Sequence, residues 1–159
     1  MTSTSNIPPP DQVSGLIAAG NHRRLEEMVD RSQRVLMCIK SIFPFDFFPD
    51  VLTIDENKVT LICHELGYEN VHGVFIENIS YVTVDTDILH ATLNVTDSTS
   101  ERFPKILSIH HLKKEDAFKA RSLIEGLIAA KKLNVDFAIF KTEELVNQLV
   151  KLGEAKEAR

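Results

Sequence analysis

Five of the six histidines, His64, His72, His90, His110 and His111, fall in or beside runs of alternating polarity, and they offer the most chemistry in the chain. A hydrolytic metal centre needs two or three imidazoles converging with a carboxylate around an open position. The sequence has no H-E-x-x-H spacing. His110 and His111 are neighbours in a strand pattern, so their side chains point to opposite faces unless a bulge intervenes. The expectation is histidines at strand edges or facing solvent, with no metal and no other cofactor. Cys38 and Cys63 have neither zinc nor disulfide spacing and read as free thiols. No serine sits in a nucleophile elbow, and six glycines spread singly build no phosphate cradle. Asp85 and Asp87 lie in a turn pattern, where a carboxylate bonds the local backbone. No residue set nominates a catalytic centre, and a non-enzymatic protein is expected.

Binding chemistry is better represented. Phe43, Phe45, Phe47 and Phe48 place four of the nine phenylalanines within six positions, interleaved with Pro44 and Pro49. Buried, they would plug one end of a β-structure and anchor the preceding segment to it. Exposed, they would form an apolar patch of the kind used for protein or membrane contact. Lys113, Lys114, Lys119 and Arg121, followed by Lys131 and Lys132, give a later helical pattern a basic side. The two groups together, Phe43, Phe45, Phe47, Phe48, Lys113, Lys114, Lys119 and Arg121, are the candidate interaction surface.

These residues must be positioned by a chain of 159 residues, 43% hydrophobic and 26% charged, enough for one domain with a core and a helical appendage. Residues 1–20 read as a flexible tail carrying the Pro8-Pro9-Pro10 run. Over residues 21–41, Leu25, Met28, Val29, Val35, Leu36 and Ile39 recur at helical spacing opposite Arg23, Arg24, Glu26, Glu27, Asp30, Arg31 and Arg34. That pattern predicts an amphipathic helix ending before Pro44. The period then drops to two. Val51 to Ile54 and Val59 to Cys63 flank Asp55-Glu56-Asn57-Lys58, a hairpin signal. Val74 to Ile76, Tyr81 to Val84, Leu89 to Thr96 and Ile106 to Leu112 complete six strands. In the fifth, Leu89, Ala91, Leu93 and Val95 share one face, the alternation of a strand packed on one side. A helix over Lys114 to Lys132 follows, and a last helix starts at Thr142 with Gly153 as its stop. Consecutive strands joined by short turns make an α+β fold with an antiparallel meander, which must curl or be covered by the following helix.

The run from Val74 to Val84, then Ala91 to Val95, Ile106 to Leu112 and the Asp116-Ala117 helix resembles the bacterial pleckstrin-homology-like domains. Phe43 to Asp50, Ile54 to Val59 and Leu112 to Ala117 resemble small uncharacterised bacterial proteins with that domain. The resemblance covers about residues 42–153. It implies a PH-like antiparallel barrel closed by a C-terminal helix, placed at residues 42–134, with residues 135–159 as an extension bearing a short helix. That fold has seven strands against the six read here, so either a short strand lies around residues 65–72 or the barrel is incomplete.

Charge narrows the partners. The net charge is −5, and the region from Val51 to Leu112 carries nine acidic against three basic residues. A nucleic-acid backbone would demand clustered Lys and Arg, so no nucleic acid is expected. The first hairpin is half acidic, which disfavours a phosphoinositide head group. The favoured reading is a non-catalytic interaction or scaffolding module whose partner is a protein or a second copy of this chain. A peripheral membrane-surface module using the Phe-rich segment is the alternative, and a small hydrolase the second alternative. The uncharged start, Met1 to Asn6, lacks a signal-peptide pattern, and a cytoplasmic location is expected.

Overall fold

The computed structural model describes residues 34–99 and 104–157. The expected tail and most of the expected N-terminal helix, residues 1–33, lie outside the described residues. Seven strands form two antiparallel sheets. The first is β1 (Val35–Lys40), β2 (Val51–Asp55), β3 (Lys58–Glu65) and β4 (Tyr68–Phe75), paired in that order. The second is β5 (Ile79–Thr86), β6 (Ala91–Asp97) and β7 (Lys105–Leu112). Two helices follow, α1 (Lys114–Lys132) and α2 (Thr142–Glu157). The α+β class and the antiparallel order match expectation, but the two sheets do not close into one barrel. A backbone bond from Ile42 N–H to His111 C=O at 2.9 Å joins the segment just after β1 to β7.

Residues 35–40 overturn the sequence reading: the expected helix over 21–41 is a strand there. A β-bulge explains the error. Val35 pairs with Asp55 and Met37 with Ile54, which leaves Leu36 as the extra residue. Leu36 and Ile39, three apart, are therefore both buried, and that spacing imitates one face of a helix. β1 is thus the strand missing from the six read in the sequence. Residues 68–72 extend the strand at Val74 backwards to form β4.

Local chemistry sets the turns. Asp55 Oδ1 accepts the N–H groups of Asn57 at 2.7 Å and Lys58 at 2.9 Å, closing the β2–β3 hairpin. Gly67 takes φ +75° between β3 and β4, a conformation that favours glycine. Inside, Leu52, Ile54, Val59, Leu61 and Val74 of the first sheet join Val82, Leu93, Val95, Leu107 and Ile109 of the second. α1 lies across β5 and β6 and adds Ala117, Ala120, Leu123, Ile124 and Leu127. Burying such a set on one continuous interior is the main driving force for the fold.

α1 and α2 cross with their backbones nearly touching. A Cβ on Gly126 would overlap the carbonyl of Leu149, and one on Gly153 would overlap the carbonyl of Ser122. Gly153 is therefore not the stop expected from sequence, because α2 continues to Glu157. Its role is to let the helices approach. At the start of β1, the Arg34 guanidinium donates to the carbonyls of Phe140 at 3.0 Å and Phe137 at 3.2 Å. It also pairs with the buried Glu56. One side chain thereby ties the start of β1 to the β2–β3 turn and to the link between the helices.

Candidate docking surface

The β1–β2 loop, residues 41–50, is built by two small polar residues. Ser41 Oγ donates to Asp46 Oδ2 at 2.7 Å and accepts the Asp50 N–H at 2.8 Å. The other Asp46 oxygen accepts the Phe48 N–H at 3.1 Å, and Ser41 N–H reaches the Asp50 carbonyl at 3.0 Å. Asp50 Oδ1 in turn accepts the His64 N–H at 2.9 Å, fastening the loop to the end of β3. With its polar groups bonded internally, the loop turns its aromatic rings outward. Phe43 is 66% exposed and Phe47 is 74% exposed, and their rings meet edge to face at 5.9 Å. Phe45 and Phe48 are also exposed. The reading in which these rings plug one end of the sheets is therefore incorrect. Ser41, Asp46 and Asp50 are bonded to one another, to the loop backbone and to His64, and the four rings are left exposed.

Phe45 lies on a histidine pair. Its ring centroid is 4.2 Å from that of His90 and 6.2 Å from that of His111, and the two imidazoles are 5.7 Å apart at nearly right angles. A second bulge makes this arrangement. Ala91 pairs with Leu112 and Leu93 with Ile109, so His110 and His111 both stand opposite Thr92. His111 takes φ 53°, a left-handed conformation uncommon outside glycine. The kink sends His110 to the Thr92 hydroxyl, with Nδ1 3.2 Å from it, and turns His111 to Phe45. Among the described residues, no group of three or more His, Cys, Asp and Glu is placed to hold a metal ion.

The β5–β6 turn brings the neighbouring apolar side chains. Asp87 Oδ1 accepts the N–H groups of Leu89 at 2.8 Å and His90 at 2.6 Å. These backbone bonds hold the Asp87 carboxyl below the usual carboxylate range, with smaller help from His90 and Lys114. The capped turn projects Ile88, 91% exposed, and Leu89, 68% exposed, while His90 is buried. The alternation read from Leu89 onward holds only from Ala91, because the Asp87 cap removes Leu89 from the strand. Ile88, Leu89, His90 and His111 were absent from the candidate surface. The sequence signal for the first two was a pair of large aliphatics inside an acidic turn.

The basic candidates divide. Lys114 Nζ donates to the Ile88 carbonyl at 3.0 Å, which places Lys114 at the β5–β6 turn beside the Phe-bearing loop, while Lys113 precedes the first turn of α1. Lys119 lies elsewhere, with Leu36, Thr142, Glu143, Val146 and Asn147 around a shallow groove between β1 and the helices. Arg121 is half-buried further along α1, and Lys131 Nζ donates to Asn57 Oδ1 at 2.9 Å at the far end of that helix. The structure therefore joins Phe43, Phe45, Phe47, Phe48 and Lys114 in one region and separates Lys119 from it. No helix among the described residues is long and apolar enough to cross a membrane. Compared with models of protein families, with curated proteins and with solved structures, the chain matches none.

Proposed function

We propose that this protein is a non-catalytic interaction module with a pleckstrin-homology-like arrangement, which docks a partner protein on the end formed by the β1–β2 and β5–β6 loops. The PH-like reading is supported by the order of four strands, three strands and a helix lying across the second sheet. The Ile42–His111 bond at one corner is consistent with it. One observation carries the functional reading: the loop that exposes Phe43, Phe45 and Phe47 is internally bonded at Ser41, Asp46 and Asp50. A soluble domain that presents large aromatic rings on a pre-ordered loop has them available for binding without a further ordering cost. A membrane surface is the second reading, favoured by the same rings standing at a loop close to Lys114.

An affinity pull-down from native host extract, using the full chain and its Phe47→Ser variant, tests the first reading. Retained proteins that are lost with Phe47→Ser support it, and an identical set on both overturns it. Co-sedimentation with anionic vesicles at low salt tests the second, which fails if nothing pellets.

A further inference from the structure

We infer that the Phe-bearing end docks against the same end of a second copy of this chain across a two-fold axis. The inference rests on the reading of that end as a docking surface and names the occupant. Area is the first argument. From their exposures, Phe43, Phe45, Phe47, Ile88 and Leu89, on two loops joined by the Phe45–His90 contact, leave roughly 700 Å² of surface in water in total. A standard interface takes about 800 Å² from each partner, so one copy of this end supplies most of what a stable dimer needs.

Charge is the second argument. An isologous contact must be self-complementary, each patch meeting its own copy. The carboxylates of Asp46 and Asp50 are turned to the Ser41 hydroxyl and to backbone N–H groups of Phe48 and His64, so they do not stand outward to repel their copies. At the rim, Asp87, with its side chain 67% exposed, stands near Lys114. A rim carrying both signs can pair carboxylate with ammonium reciprocally across the axis. The same rim meets an anionic lipid surface poorly, because Asp87 stands where a basic residue would be needed. An apolar centre with few charges is also the composition of a homodimer interface more than of a transient one.

Sedimentation velocity on the full chain, from about 1 to about 200 µM, provides the test. The wild type is expected to move from one chain to two as concentration rises. Phe47→Ser and Ile88→Ser should each weaken the dimer at least ~10-fold. Because both side chains are exposed, their urea unfolding midpoints below the association range should match the wild type. A wild type that stays monomeric throughout overturns the inference, as does a dimer that neither substitution weakens. Monomeric wild type combined with Phe47→Ser-sensitive retention of a host protein, or of phosphatidylserine vesicles, overturns the second copy alone. Monomeric wild type with no Phe47→Ser effect in either assay overturns the docking surface as well.

Discussion

Replacing Gly126 by alanine sets two effects of opposite sign against each other. In an exposed helix interior, Gly→Ala stabilises by about 1 kcal/mol, because alanine loses less backbone freedom on folding. At Gly126 the new methyl lands on the Leu149 carbonyl. Backbone does not swing aside as the tip of a lysine would, so α1 and α2 must separate along their crossing. Overpacking of this kind costs about 1–3 kcal/mol, and an overlap with backbone belongs at or above the upper end. The net expectation is a loss of about 2 kcal/mol, which at a urea slope of ~1–3 kcal/mol per molar moves the midpoint down by about 1 M. Gly73→Ala serves as control, since its Cβ would meet nothing closer than Thr60 Oγ1 at 4.0 Å. Urea unfolding followed by circular dichroism reads both. A higher midpoint for Gly126→Ala would refute the close crossing, because propensity alone would then decide the outcome.

Three further outcomes follow from individual contacts. Arg34→Met leaves Glu56 buried without its ion-pair partner, and should cost about 3–5 kcal/mol. A double-mutant cycle with Glu56→Gln should recover part of that loss, and purely additive effects would contradict the pairing. Asp87 has a folded pKa below its unfolded value, so its contribution to stability is present above the ordinary carboxylate range and is lost as pH falls through the folded value. The difference in unfolding midpoint between wild type and Asp87→Ala should therefore be fully present at neutral pH and shrink below about pH 4. A difference that grows on acidification would contradict the backbone cap. Burial, with Asp50, Glu65 and Asp46 nearby, pushes the Cys63 thiol up, whereas Cys38 is exposed. Because the thiolate is the reactive form, Cys38 should react with a maleimide at pH 7.5 at least ~10-fold faster than Cys63. Mass spectrometry of partially labelled protein reads the order, and Cys63 labelling first would reverse the assignment.

Much of the secondary structure was legible because local pattern and final environment agree. The Asp55-Glu56-Asn57-Lys58 hairpin, the alternation of Ala91, Leu93 and Val95, and the helix from Lys114 all sit where sequence placed them. β1 was not legible, since the bulge at Leu36 gives a strand the spacing of a helix. β4 was only half legible. His72 and Asn70 pair with the inward-facing Leu61 and Cys63, so the positions that should have been apolar are polar, and His72 lies 3.2 Å from Lys105 Nζ. Gly153 was read as a stop because glycine ends helices, and its use as a spacer depends on Ser122 in another helix. At the candidate surface, the Phe residues were visible as composition. The meeting of Phe45 with His90 and His111 was not, because these residues are more than 40 positions from Phe45 in the chain and only the assembled sheets bring them together.

The role of the Phe-bearing end is tested most directly by site-specific photo-crosslinking of the full chain. A benzophenone side chain in place of Phe47 should give adducts to a second copy of the chain within the β1–β2 or β5–β6 loops. The same group in place of Ile139, which is 78% exposed on the link between α1 and α2, should give none. Equal adducts from both positions, or none from Phe47, would contradict docking of a second copy through this end.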